Sequence, residues 1–400
     1  MLAIDPNPGA VPRHPRYYSL DAWRGLACLL IVIYHSGGPM GPSQGVWGSL
    51  VNGFLALRSS MWLGVPLFFV ISGYCISATM ENMRERPRGV RSYFLRRLRR
   101  IYPPYIIFLM VFMLWCLPYG LMRAPDGVTQ GLAITAPWDL TLPQWVGNLT
   151  LTETWREHLI GPSTALMAGQ CWSLCHEEQF YLIVGLILML APQRYFSVMA
   201  ILSLGVMGVA CLPKSMSAML AGTSLRGSWL IFACGVIAYW QVNHAASRGR
   251  WIGNVILLAL MALCFRSPSN LWQVQESASL QIFVATNFAL FLSNADMWDE
   301  WIAKIWVARL LAWCGRISYS VYLVHIMPVF MLRHLFQSYT SLSPELSVFV
   351  LIPLSVGASF GLGKLFYLLV ESRFLNVSSR QSAPVSHIPL PAAAPLRQAA

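Results

Sequence analysis

The chain has 400 residues, of which 56% are hydrophobic and only 11% charged, and its formal net charge is +12. A charged fraction so far below the roughly one quarter usual in soluble domains excludes a water-soluble globule, and apolar runs that are continuous rather than alternating exclude a closed β-barrel. The positive balance reads as membrane topology and attraction to anionic lipid; no nucleic-acid motif accompanies it, so no nucleic-acid partner is expected.

Residues 1–17 carry four prolines and no periodicity, the pattern of a short cytoplasmic lead-in. Ten apolar runs follow, near 20–40, 61–80, 101–121, 178–191, 195–213, 221–241, 251–266, 279–294, 317–334 and 346–370. Read as helices against a hydrocarbon core of ~30 Å, they predict an all-α polytopic integral membrane bundle with about 10 transmembrane helices. A cytoplasmic N-terminus puts most of the 28 basic residues inside, including the eight arginines between Arg84 and Arg100, and brings the C-terminus to the same side. The first run is a full span with internal polar residues and no small-residue cleavage site after it, unlike a signal peptide. Residues 18–375 form one membrane domain without internal repeats, and residues 376–400, rich in Ser, Pro and Ala, form a tail that cannot bury a core.

Ionisable residues inside spans are costly and mark candidate functional sites. In the first span, LDAWRGLACLLIVIYH, Arg24 stands near the cytoplasmic end and His35 eleven residues on, about 16 Å deeper at ~1.5 Å per residue. An imidazole exchanges protons near neutral pH, which makes His35 a candidate general base; a lone histidine would more often be structural. Asp21 and Arg24, three apart, also suit a local ion pair. In the second span, FFVISGYCIS places Ser72 and Gly73 where small residues let helices approach, and packing is their expected role.

The run SYFLRRLRRIYPPY sets Arg97 and Arg100 three apart just before the third span. Guanidinium forks suit phosphates, while positive-inside topology alone explains the sign of the cluster. The outer loop from about 122 to 177 holds Trp138, Trp145, Trp155 and Trp172. These could stack on sugar rings, though anchoring at the headgroup level is the commoner role. Cys171 and Cys175 lie a turn apart, a spacing open to a disulfide but expected to hold free thiols.

WSLCHEEQFY opens the fourth span with Glu177, Phe180 and Tyr181 on one helix face. Glu177 could orient His35 or position an acceptor hydroxyl; a carboxylate favoured by the helix N-terminus is the plainer alternative, and it fits Glu178 better. GRISYSVYLVH brings Ser318, Tyr319, Ser320 and Tyr322 into the ninth span ahead of His325. Such a polar face must line a cavity or a helix interface, and His325 is either a second site histidine or a hydrogen-bonded structural one. Glu371, at the inner end of the last span, is expected to pair with nearby arginines.

Taken together these segments resemble the acyltransferase-3 family of membrane O-acyltransferases, which modify lipopolysaccharide O-antigen, exopolysaccharides, Nod factors and some macrolides. The likeness runs from about Ser19 to Phe374 and rests on Arg24 with His35 after ten intervening residues, FFVISG, RRLRRIYP, WSLCHEEQFY, GRISYSVYLVH and LVESRF, in the family's order. It implies a multi-pass protein of the bacterial inner membrane with His35 and Glu177 at the catalytic centre, and with Arg24, Arg97 and Arg100 serving an acyl-CoA donor, expected to be acetyl-CoA. His325 joins the candidate catalytic residues, Trp172, Tyr181 and Ser320 are candidates for binding substrate, and no metal is expected. His176 departs from the family, where an aliphatic residue is usual. The chain resembles the standalone branch, in which a glycan or glycolipid acceptor meets the membrane domain directly or through a partner such as a polysaccharide assembly protein.

On this reading His35 deprotonates the acceptor hydroxyl, assisted by Glu177 or His325, and attack on the thioester gives an O-ester and free CoA. A covalent acyl-enzyme on Ser72, Ser320 or Cys28 is an alternative for which no neighbouring base is evident in the sequence. The rival from another class is a transporter or flippase of a lipid-linked saccharide, with the buried His and Arg as its path; the absence of repeats and the phosphate-suited arginines argue against it. A non-catalytic scaffold leaves His35, Glu177 and His325 unexplained.

Overall fold

A computed structural model of the chain describes residues 17–36, 45–84, 86, 89–120, 135–210, 222–266, 276–339 and 344–375, and all regular structure among them is helical. Residues 1–16 of the lead-in and the whole tail lie outside the described residues. The helices are α1 (Leu20–Ser36), α2 (Gly45–Ser59), α3 (Gly64–Arg84), α4 (Gly89–Gly120), α5 (Leu142–Thr150), α6 (Glu153–Arg156), α7 (Trp172–Leu190), α8 (Tyr195–Ala210), α9 (Ser228–Asn243), α10 (Ser247–Arg266) and α11 (Glu276–Asn294). They continue with α12 (Asp299–Lys304), α13 (Trp306–Arg316), α14 (Ser318–Val324), α15 (Ile326–Tyr339) and α16 (Pro344–Leu369).

Each of the ten predicted apolar runs carries a helix, as an apolar segment must if it is to satisfy its own backbone in lipid. Among the described residues four helices are long and apolar enough to cross a membrane: Val51–Arg84, Gly89–Leu117, Gly169–Leu190 and Phe349–Arg373. Ser318–Val324 and Ile326–Phe336 make a fifth if their 45° bend is taken as a broken span.

Two interfaces are set by glycine. A Cβ on Gly25 of α1 would stand 1.9 Å from the Leu311 carbonyl oxygen, and one on Gly315 of α13 would stand 1.8 Å from that of Asp21, so the two backbones touch. Gly73 of α3 and Gly235 of α9 repeat the device, with Phe232 O at 2.1 Å and Val70 O at 2.0 Å from the missing Cβ atoms. This close approach between helices is the form of packing available where apolar burial drives little association. Phe69, Phe232 and Phe180 stack beside it at centroid distances of 4.4 and 4.3 Å, tying α3, α9 and α7 together. Gly25→Val is accordingly expected to force α1 and α13 apart, destabilising the fold by about 1–3 kcal/mol or more. Gly357→Ala, with open space around its Cβ position, is expected to change little. Thermal unfolding of the two variants in detergent checks the contrast.

The break between α14 and α15 has a local cause. Pro328 lacks an N–H, and its ring opposes the carbonyl of Val324 one turn earlier, so the helix bends there. Neighbouring carbonyls take side-chain donors: Gln170 Nε2 bonds Leu323 O at 3.0 Å, and Ser359 Oγ bonds His325 O at 3.4 Å in addition to the Val329 N–H at 3.3 Å. The start of α1 is fixed by another element. The buried carboxylate of Asp299 accepts the Tyr18 and Ser19 backbone N–H groups and the Ser19 hydroxyl, supplying negative charge where helix donors are unsatisfied.

From residue 135 onward the segment between α4 and α7 is itself folded. Thr141 and Gln144 cap α5 reciprocally, and buried Glu153 and Arg156 form a two-bonded pair at 2.7 Å. Within this loop Trp138 is exposed, whereas Trp145 and Trp155 are partly buried. Cys171 and Cys175 are buried free thiols.

Candidate active site

Helical spacing decides which polar residues share a cavity. On α3, Ser72, Cys75 and Thr79 fall on one face; on α7, Ser173, Glu177 and Tyr181 recur every fourth residue; on α4, Arg97 and Arg100 stand three apart. These faces converge with Arg24 and Ile31 of α1 and with Ser318, Tyr319 and Tyr322 of α14 around a cavity of about 330 Å³. Three arginines and one glutamate therefore line a single chamber.

The charges in it are tied together. Arg24 Nη1 bonds Asp21 at 3.0 Å, so the local ion pair exists, while its Nη2 reaches Cys75 Sγ at 3.4 Å. Arg97 lies over the Tyr181 ring, 4.3 Å from its centroid, and touches Thr79 Oγ1 at 3.5 Å. The Tyr181 hydroxyl donates to Glu177 Oε1, and Ser72 Oγ donates to the same oxygen at 2.5 Å. Arg100 is exposed and makes no hydrogen bond among the described residues, leaving its fork open.

The histidines form a second group. His35, in the last turn of α1, and His325, at the break between α14 and α15, have ring centroids 5.5 Å apart. His325 is fully buried, and its Nδ1 faces the carbonyls of Tyr322 at 2.8 Å and Val321 at 3.2 Å. Both partners only accept, so Nδ1 carries the proton, and in the neutral ring Nε2 presents a lone pair. That Nε2 is buried without a hydrogen-bond partner among the described residues, an arrangement that leaves an acceptor free for a donor group. His35 is only partly buried. Beside it Arg58 of α2 donates to Tyr34 O at 2.9 Å, a cation at the C-terminal end of α1.

The two groups adjoin. Ile31 and Tyr322 line the cavity, and His35 and His325 stand four and three residues beyond them, about one helical turn on each helix. Glu177 engages Ser72 and Tyr181, and no hydrogen bond joins it to His35. Trp172, at the start of α7, packs edge-on against Phe69 and against the buried His176. Ser320 is fully buried and bonds the Glu371 carboxylate; the expected arginines, Arg100 and Arg24, act on Glu371 through their charge, and the direct bond is to the hydroxyl. Ser72 is the residue that packing logic missed: Gly73 alone makes the close approach, and Ser72 faces Glu177. Its signal was the shared face with Cys75 and Thr79.

The family model described as an acyltransferase domain matches residues 17–364. A Staphylococcus aureus (strain COL) protein whose name assigns it provisionally as an O-acetyltransferase is 26% identical over 334 residues, covering 76% of this chain and 49% of its own. O-acetyltransferase OatA of Staphylococcus aureus (strain NCTC 8325 / PS 47) is 27% identical over 331 residues, covering 78% and 50%. The chain thus spans about half the length of these curated relatives. No solved structure matches the chain.

Proposed function

The chain belongs to the acyltransferase-3 family, and from that membership we propose that it is an O-acetyltransferase. It takes acetyl from acetyl-CoA on the cytoplasmic side and esterifies a hydroxyl of a cell-surface polysaccharide or lipid-linked glycan. The observation that carries this reading is the chamber in which Arg24, Arg97 and Arg100 converge, with a histidine pair one turn beyond its lining. Guanidinium groups suit the phosphates of a nucleotide thioester, and an imidazole suits removal of a proton from an attacking hydroxyl. The relatives are themselves named as O-acetyltransferases, which supports acetyl transfer to a hydroxyl.

In this scheme the chain sits in the bacterial inner membrane with about ten spans and both termini inside, so the arginines face the donor's compartment and His35 lies toward the acceptor's. Arg100 and Arg97 hold phosphates, Arg24 fixes the inner end of the thioester, His35 takes the acceptor proton, and the lone pair of His325 Nε2 holds His35 or the acceptor hydroxyl in place. The acceptor arrives alone or delivered by polysaccharide assembly proteins. Sealed inside-out vesicles carrying the chain are expected to convert external radiolabelled acetyl-CoA to free CoA and an acetyl ester on the lumenal side. Equal use of acetyl-CoA supplied only to right-side-out vesicles would refute the assigned orientation.

A further inference from the structure

Among the three candidate sites for a covalent acyl group, only one lies where the donor would reach it. Ser320 also pairs with a carboxylate, that of Glu371, but it is fully buried and absent from the cavity lining. Cys28 is buried with its thiol 3.9 Å from Ser318 O, again outside the lining. Ser72 is partly exposed, lines the cavity, and holds a 2.5 Å hydrogen bond to Glu177. The base is oriented in turn, because Glu177 also accepts from Tyr181, whose ring carries Arg97. A nucleophile, a base within hydrogen-bond reach and a third group fixing the base are the parts that covalent catalysis by a hydroxyl requires.

Position along α3 adds a separate argument. Thr79 touches Arg97, Cys75 touches Arg24, and Ser72 comes one turn later on the same face. Beyond it Gly64 packs on Ala27 and Ile31 of α1, and Ile31 is the turn before His35. Ser72 therefore stands between the arginines and the histidine pair. We propose that the acyl group crosses this interval as an ester on Ser72, with Glu177 as the base of the first half-reaction.

The proposal rests on the acyltransferase reading and completes its chemistry. Ser72 Oγ attacks the thioester carbonyl carbon, its proton passes to Glu177, the C–S bond breaks, and Glu177 returns the proton to the departing CoA thiolate. The acceptor hydroxyl then attacks the Ser72 ester, its proton passes to His35, the ester bond to Ser72 breaks, and His35 delivers the proton to the Ser72 oxygen. Each half-reaction is neutral overall and needs no further reactant.

The test uses the full chain purified in detergent, incubated with acetyl-CoA and radiolabelled CoA and no acceptor, followed by peptide mapping. Wild type is expected to exchange label between CoA and acetyl-CoA and to carry one acetyl group on the peptide containing Ser72. Ser72→Ala should lose both exchange and the acetylated peptide while still binding acetyl-CoA, and Glu177→Gln should slow exchange by about 10²-fold. His35→Ala should retain both exchange and the acetylated peptide, since only the second half-reaction is blocked. An acetyl group found on Tyr181 would overturn the assignment to Ser72. Acetyl ester formed by wild type in the inside-out vesicles, with neither exchange nor an acetylated peptide in detergent, would overturn the relay and leave the acyltransferase reading standing; no ester in the vesicles together with no exchange and no acetylated peptide would remove both.

Discussion

Replacing His35 with alanine is expected to leave the chain inserted and folded and to slow ester formation on the acceptor by about 10²- to 10⁴-fold, the usual contribution of a positioned general base. Insertion should survive because α1 is fixed elsewhere: Gly25 locks it to α13, and Asp299 holds its N-terminus. The side chain of His35 is partly exposed and bonds no other residue among those described, so its removal opens little core. The loss should therefore fall on the rate and leave the apparent affinity for acetyl-CoA within a few-fold, because the arginines lie in the chamber and not at the histidine pair. His325→Ala should be less clean. It removes the Nδ1 donor from the Tyr322 carbonyl at a helix break, while the Val321 carbonyl keeps the His325 backbone N–H at 2.9 Å. Rates and melting temperatures measured on both variants separate the two cases.

Arg100→Gln is expected to raise the KM for acetyl-CoA by about 10- to 100-fold with a smaller change in kcat, because a charge-assisted hydrogen bond is worth roughly 1.5–3 kcal/mol. Arg100 is the most informative of the three arginines. Arg24 is engaged by Asp21 and Cys75 and Arg97 by Tyr181 and Thr79, so replacing either also disturbs the chamber wall. The check is a donor without phosphates. With acetyl-pantetheine the wild type should be as poor as Arg100→Gln, and the two KM values should converge. A penalty that persists with acetyl-pantetheine would mean that Arg100 does not bind phosphate.

Much of this architecture was legible because lipid imposes a simple rule: a run of apolar residues has to become a helix, and each of the ten runs did. What hydropathy could not see was α13, an eleven-residue helix too short to span, and the break at Pro328, which the run 317–334 hides although the proline was there to be read. The site was legible where types of residue are scarce. Arginine, histidine and glutamate inside apolar runs have few structural uses, and Arg24, Arg97, Arg100, Glu177 and Tyr181 do meet in one chamber, with His35 and His325 beside each other.

Pairings across the fold were not legible. Helical periodicity assigns a residue to a face but does not say which neighbour that face meets. Ser320 thus read as a cavity hydroxyl and is instead sealed against Glu371, while Ser72, read first as a packing residue and otherwise as an acyl site without an evident base, meets Glu177 across 105 positions of sequence. Nor could Glu177 be separated from His35, since an orienting contact depended on two helices packing together, and Glu177 instead engages Ser72 and Tyr181.

The central claim is that this membrane domain places acyl esters on a surface glycan through His35. Its most direct test is the base-labile acyl content of the host's surface polysaccharide, measured by proton NMR and mass spectrometry before and after mild alkali, in cells lacking the gene and complemented with wild type or His35→Ala. The account predicts that an acetyl mass is lost with the gene, returns with wild type and does not return with His35→Ala. Unchanged acetylation with polysaccharide missing from the surface would contradict it and favour transport of the saccharide instead.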